Sequence, residues 1–137
     1  MSRTHIPTAL RQQVRERAGH RCEYCLVRDQ SVLLPHTIDH IIAEQHGGKT
    51  TFENLAQACI HCNRQKGPNI ASLDPNTEDL VPLFNPRLHH WEEHFQRKGA
   101  IIFALTPIGR ATVNLLELNS HERLRIRRGL LAAGCYP

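Results

Sequence analysis

The sequence predicts an α+β domain, on three observations. Two Cys-x-x-Cys pairs, Cys22/Cys25 and Cys59/Cys62, bracket residues 26–58, 33 in all. Inside the bracket the apolar pattern reads strand, loop, strand, helix, and further helices are indicated on either side of it. A chain of 137 residues has room for one such unit. Residues 1–137 are therefore expected to form a single domain, with a core at about 20–67 and an extension from about 80 to 137.

The elements follow in chain order. Thr8 to Ala18 sets Leu10 and Val14 four apart among arginines and glutamines, with Gly19 in the C′ position, which is the pattern of a short amphipathic helix. Ser31 to Ile42 reads as extended and opens the first strand pair, with Val32, Leu33, Leu34, Ile38, Ile41 and Ile42 supplying buried faces. His46-Gly47-Gly48-Lys49-Thr50-Thr51 is polar with adjacent glycines, hence an exposed loop of the kind that often faces ligands. Asn54 to Cys59 returns as a strand, and Ile60 to Lys66 is a short helix stopped by Gly67-Pro68. The four prolines of Pro68 to Pro86 mark a looped connector. Beyond it Ala100 to Leu105 reads as a strand. Thr106-Pro107 caps and starts a helix carrying Ile108, Ala111, Leu115 and Leu118 on one face, broken at Asn119-Ser120. The last helix, His121 to Ala133, carries Arg123, Arg125, Arg127 and Arg128. They form either a solvated face or a surface for phosphate backbones.

Composition narrows the class of protein. The chain is 40% hydrophobic and 22% charged, the balance of a soluble globular protein. Its longest apolar run, Ala100 to Leu105, falls well short of the roughly 20 residues that span a bilayer, so no membrane partner is expected. The first residues lack the apolar stretch of a secretion signal, and a cytoplasmic location is expected. The formal charge is +4, and 14 arginines against 3 lysines favour planar anionic partners such as phosphates.

In a reducing compartment the paired cysteines read as one tetrahedral zinc site, two thiolates from each tight turn. Two disulfides, or four unrelated buried thiols, are the alternatives, and the compartment argues against the first. A four-cysteine site is closed to water, so Cys22, Cys25, Cys59 and Cys62 should hold the fold. Cys135 is left as a free thiol.

The chemistry is expected between the cysteine pairs. Phosphodiester hydrolysis needs a divalent cation to neutralise the phosphate and departing oxygen, and a base to take a proton from water. Asp39 and Asn63 can offer hard oxygen ligands to Mg²⁺ or Mn²⁺, and His40 can serve as the base. Adjacent strand residues point to opposite faces, so Asp39 and His40 can share one phosphate only if the strand ends or bulges there. Arg64 and Lys66 follow on the short helix, as phosphate contacts or as solvated charge, while His46 and His61 are not assigned to catalysis.

These residues carry a resemblance. Cys22-Glu23-Tyr24-Cys25, Ile38-Asp39-His40-Ile41-Ile42, His46-Gly47-Gly48, Asn54-Leu55 and Cys59-Ile60-His61-Cys62-Asn63-Arg64-Gln65-Lys66-Gly67 resemble the zinc-ribbon branch of the HNH endonucleases. The resemblance covers about residues 20–67 and implies a ββα-metal (His-Me finger) core. It implies that His40 is the general base, that Asp39 and Asn63 bind the catalytic cation, and that Asn54 orients the loop between the strands. More loosely, Leu83-Phe84-Asn85-Pro86-Arg87, Trp91, His94-Phe95 and Thr106 to Thr112 resemble the tail of small stand-alone bacterial members. Two departures stand out. Many members have a proline shortly after the Asp-His pair, where this chain has Ala43-Glu44-Gln45, and many end the motif in histidine, where it has Asn63.

The expected activity is therefore DNA hydrolysis to 5′-phosphate and 3′-hydroxyl ends, with structural Zn²⁺ and catalytic Mg²⁺ or Mn²⁺, by a monomer or a homodimer. Two other classes fit parts of the sequence. One is a non-catalytic zinc-knuckle module that binds nucleic acid. The other is a zinc peptidase, from the inverted H-x-x-E-H pattern of His90, Glu93 and His94, for which Asn85-Pro86 and Gly99 leave little helix.

Overall fold

Helix α1 spans Thr8–Arg17 and ends at Gly19, whose φ of 63° is the left-handed conformation that glycine adopts without strain. In the computed structural model, which describes residues 4–137, α1 buries Val14 with Ile6 and Leu55 in a small apolar cluster. Arg17 fastens the helix to the next layer by donating to the carbonyl oxygens of Phe52 and Leu55.

Strands β1 (Thr37–His40) and β2 (Leu55–Ala58) form an antiparallel pair, with Asp39 opposite Ala56 and His40 opposite Leu55. Helix α2 (Ile60–Lys66) follows at once and packs on both strands, completing a ββα unit. The Cys59 sulfur caps α2 by accepting from the Cys62 N–H, and Gly67 at φ 51° stops it.

The extended stretch expected from Ser31 is shorter than the apolar pattern suggested. Asp29–Ser31 is a single 3₁₀ turn and the strand begins only at Thr37. Leu33, Leu34 and Ile42 are exposed rather than buried. The reason is the partner strand: β2 has four residues before the Cys59 knuckle turns the chain into α2, so nothing pairs with residues 31–34.

The extension adds two hairpins and three helices. The proline-rich connector contains one hairpin, β3 (Ala71–Leu73) with β4 (Leu80–Pro82). Its turn is organised by Asp74, a fully buried carboxylate that accepts from the Asn76 N–H, Thr77 and both arms of Arg110. Those bonds hold its carboxyl down at about 2. The other hairpin pairs β6 (Ile101–Ala104) with β5 (Phe95–Lys98), a strand the sequence pattern did not separate from its polar surroundings. A single helical turn, α3 (Trp91–His94), precedes β5. Helices α4 (Pro107–Leu115), capped by Thr106, and α5 (His121–Ala132), capped by Ser120, complete the chain. The expected apolar face of α4 is present, but Leu118 reaches the core from the turn beyond it, after Glu117 at φ 49°.

Cys22, Cys25, Cys59 and Cys62 lie inside the main apolar cluster, beside Tyr24 and Val27 from the core and Phe84, Phe95, Leu116 and Leu118 from the extension. Trp91 donates to the Tyr24 carbonyl and Tyr136 to the Cys25 carbonyl, so the extension also hydrogen-bonds the first knuckle.

Gly48 fixes the loop between β1 and β2 by close approach: a Cβ there would overlap the Ile42 carbonyl oxygen and crowd the Asn54 amide. Gly48→Ala is expected to cost about 1–3 kcal/mol, read as a lower urea midpoint with an unchanged slope. An unchanged midpoint would show that the loop yields at no cost.

Candidate active site and metal centre

Two sites share helix α2. On one side of it lie the four cysteines, whose sulfurs are all within 4.8 Å of one another and buried. Zn–S bonds of about 2.3 Å place tetrahedral sulfurs about 3.8 Å apart. The Cys25 and Cys59 sulfurs stand 3.7 Å apart, too far for a disulfide and right for a shared ion. Each knuckle is shaped by its own backbone, Cys25 N–H donating to the Cys22 sulfur and Cys62 N–H to the Cys59 sulfur, both at 3.4 Å. Burial pushes the Cys22 and Cys62 thiols well up, while bonding to neighbouring thiols pulls Cys25 well down. Sulfurs so placed fit one divalent, zinc-like ion. Cys135 is not among them.

The extension contributes a charge to this centre. Arg123, expected on an exposed basic surface, is buried, and donates to the Cys62 sulfur at 2.9 Å and to the Leu116 carbonyl at 2.7 Å. Burial works against its charge, but the sulfurs of Cys62, Cys25 and Cys59 outweigh that and raise its pKa. Arg127 is buried too, donating to the carbonyls of Ala100 and Leu118. Arg125 and Arg128 alone remain exposed on α5. A helix whose arginines alternate between solvent and core has no sequence signature distinct from a solvated one, so the burial of Arg123 and Arg127 is visible only in the fold.

On the other side of α2 is a cleft of about 700 Å³ lined by Asp39, His40, Glu44, Asn63 and Arg64 among others. Asp39 and His40, the last two residues of β1, both line it. Asn63 comes from α2, one residue beyond the cysteine that joins the sulfur cluster.

The carboxylate of Asp39 is buried. Its Oδ2 pairs with Lys66 Nζ at 3.1 Å and accepts from the Tyr24 hydroxyl at 3.3 Å. Burial raises its pKa, with Lys66 and Tyr24 pulling in the opposite direction. Lys66 is itself buried and also donates to the His40 and Ile41 carbonyls, so it ties α2 to the end of β1 and cannot serve as a free phosphate contact. The sequence offered no signal for this, because a lysine in the last turn of a short helix is ordinarily solvated.

Asn54 stands outside the cleft and holds its loop. Its Oδ1 accepts from the Ile42 N–H at 3.0 Å, and its Nδ2 donates to the Ile42 and Lys49 carbonyls at 2.9 and 2.8 Å. Within the loop, His40 Nε2 lies 2.9 Å from Thr50 Oγ1, and Thr50 donates to Glu44 Oε1 at 3.1 Å. Neither Thr50 nor Glu44 was singled out from the sequence.

His90 and His94 do not form a second metal site. His94 is buried with its Nδ1 2.6 Å from Thr106 Oγ1, on a helix of one turn. Among the described residues the cysteines are the one group of three or more His, Cys, Asp or Glu side chains placed to hold an ion.

Residues 22–69 match the family model described as HNH endonuclease, a segment that begins at the first cysteine and contains the cluster, the loop and α2. That segment is similar to an HNH endonuclease domain, and the four-cysteine cluster fits the zinc-binding type of that family. No curated protein and no solved structure matches the chain. No helix among the described residues is long and apolar enough to cross a membrane.

Lys66→Met would leave the Asp39 carboxylate buried without its cation. It is expected to destabilise the fold by about 3–5 kcal/mol in urea unfolding. Arg123→Met is expected to speed zinc loss to a chromogenic chelator by roughly tenfold, with far-ultraviolet circular dichroism retained at the start. Release at the native rate would separate Arg123 from the metal centre.

Proposed function

We propose that this protein is a metal-dependent endonuclease that hydrolyses DNA phosphodiester bonds, leaving 5′-phosphate and 3′-hydroxyl ends. The observation that carries the proposal is the meeting of Asp39, His40 and Asn63 in one cleft inside the segment that matches the HNH family. Asp39 and Asn63 would hold Mg²⁺ or Mn²⁺. The donor set suits a hard cation: Asp39 Oδ2 is engaged by Lys66 and Tyr24, which leaves Oδ1, and Asn63 adds an amide oxygen. When bound, such an ion neutralises charge on the phosphate and on the departing 3′ oxygen.

The chain's own groups do the rest. His40 takes a proton from the water that attacks phosphorus in line with the leaving oxygen. Arg64, exposed on the rim of the cleft, offers a charged contact to a neighbouring phosphate. Asn54 and Gly48 keep the loop folded against the end of β1, so the imidazole stays at the cleft. The four-cysteine centre has no open position and supports α2, not the reaction.

A second reading, a zinc-knuckle module that binds nucleic acid without cutting it, is favoured by one observation. The Asp39–Lys66 pair already satisfies much of the carboxylate. Supercoiled plasmid distinguishes the two. Relaxed and linear products are expected with Mg²⁺ or Mn²⁺ and not with EDTA, and His40→Ala should slow their formation at least about 100-fold while zinc content and fold persist. A gel in which plasmid is shifted but never nicked, or in which His40→Ala cuts at the native rate, would support the binding module or remove His40 from the chemistry.

A further inference from the structure

The loop between β1 and β2 contains a hydrogen-bond chain that ends on His40. His40 Nε2 lies 2.9 Å from Thr50 Oγ1, and Thr50 Oγ1 lies 3.1 Å from Glu44 Oε1; the Glu44 carboxylate is also 3.5 Å from His40 Nε2. Proton counting fixes its direction. A threonine hydroxyl has one hydrogen, and a carboxylate accepts only, so that hydrogen is committed to Glu44. Thr50 can then only accept from His40, which requires the hydrogen of the neutral imidazole to sit on Nε2. The other nitrogen, Nδ1, is left with its lone pair.

We propose that Thr50 and Glu44 are positioning residues that lock His40 in the Nε2–H tautomer and hold its ring so that Nδ1 receives the proton from the attacking water. The inference rests on the nuclease reading for what Nδ1 does, and on the geometry alone for the tautomer. One feature of the chain supports a built device. The loop that presents Thr50 is clamped at the preceding residue, where Asn54 Nδ2 bonds the Lys49 carbonyl, and again at the Ile42 carbonyl. An orienting carboxylate acting through a hydroxyl does for His40 what a directly bonded carboxylate does for a catalytic histidine elsewhere: it fixes which nitrogen is free.

The test uses the full chain with zinc bound and compares native protein with Thr50→Val, Thr50→Ser, Glu44→Ala and His40→Gln. Long-range ¹H–¹⁵N spectra of ¹⁵N-histidine-labelled protein at about pH 8, where an ordinary imidazole is neutral, read the tautomer. The His40 signals are those lost in His40→Gln. The expected result is a protonated Nε2 in native protein and Thr50→Ser, and mixed tautomers in Thr50→Val, which keeps the shape without the hydroxyl. Glu44→Ala should also mix them, since it frees the threonine hydrogen to turn towards the imidazole. In plasmid cleavage, Thr50→Val is expected to lower kcat about 10- to 100-fold with little change in KM, and Thr50→Ser to restore most of it. A native His40 protonated on Nδ1, or a Thr50→Val protein with native tautomer and native rate, overturns the proposal. If native protein cuts no DNA, the nuclease reading fails on its own, and the spectra still decide for or against the lock.

Discussion

Four sulfur atoms from two turns far apart in the chain must meet at one buried point, and most of the architecture is arranged around that meeting. The first knuckle is held by its own amide-to-sulfur bond and by Trp91 and Tyr136 of the extension. The second is the N-terminus of α2. Because Cys62 and Asn63 are neighbours on α2, a constraint on the sulfur cluster is also a constraint on the cleft. A helical residue cannot shift by more than a fraction of an ångström without moving the next. Metal binding, folding and placement of Asn63 are thereby parts of one equilibrium.

Burying so much negative charge requires buried positive charge, and the chain supplies it twice. Arg123 meets the sulfurs from α5, and Lys66 meets Asp39 from α2. Each cation also donates to main-chain carbonyls, two for Lys66 and one for Arg123, which helps to fix its position. The geometry also separates roles: Arg123 serves the closed metal centre, whereas Lys66 serves the end of β1, where the two residues of the Asp-His pair turn into one cleft.

The extension is more than a tail on the ββα core. Its aromatic and aliphatic side chains share the apolar cluster with the cysteines, so the hydrophobic stabilisation of the two parts is pooled. A ββα unit of under 50 residues has too little surface to bury by itself. The cysteine cluster and the extension together make up that shortfall.

Chemistry at fixed spacing was legible in the sequence: the two cysteine pairs, the Asp39-His40 pair, the glycine loop, Asn54, Asn63, and the helices marked by Thr106-Pro107, Ser120 and Gly67-Pro68. These are written in short windows because caps, knuckles and tight turns depend on neighbours along the chain. What the tertiary structure alone decided is whatever depends on partners distant in sequence. Leu33 and Leu34 have strand composition but no strand to pair with. The buried Asp74 carboxylate at a hairpin turn has its counter-ion in Arg110, 36 residues away. Lys66 and Arg123 look like surface charge and become buried counter-ions because carboxylate and sulfur arrive from elsewhere. A charged side chain does not announce in its own segment which ion it will face, since that is settled by the energy of leaving water, and only the folded chain determines who shares the dry interior.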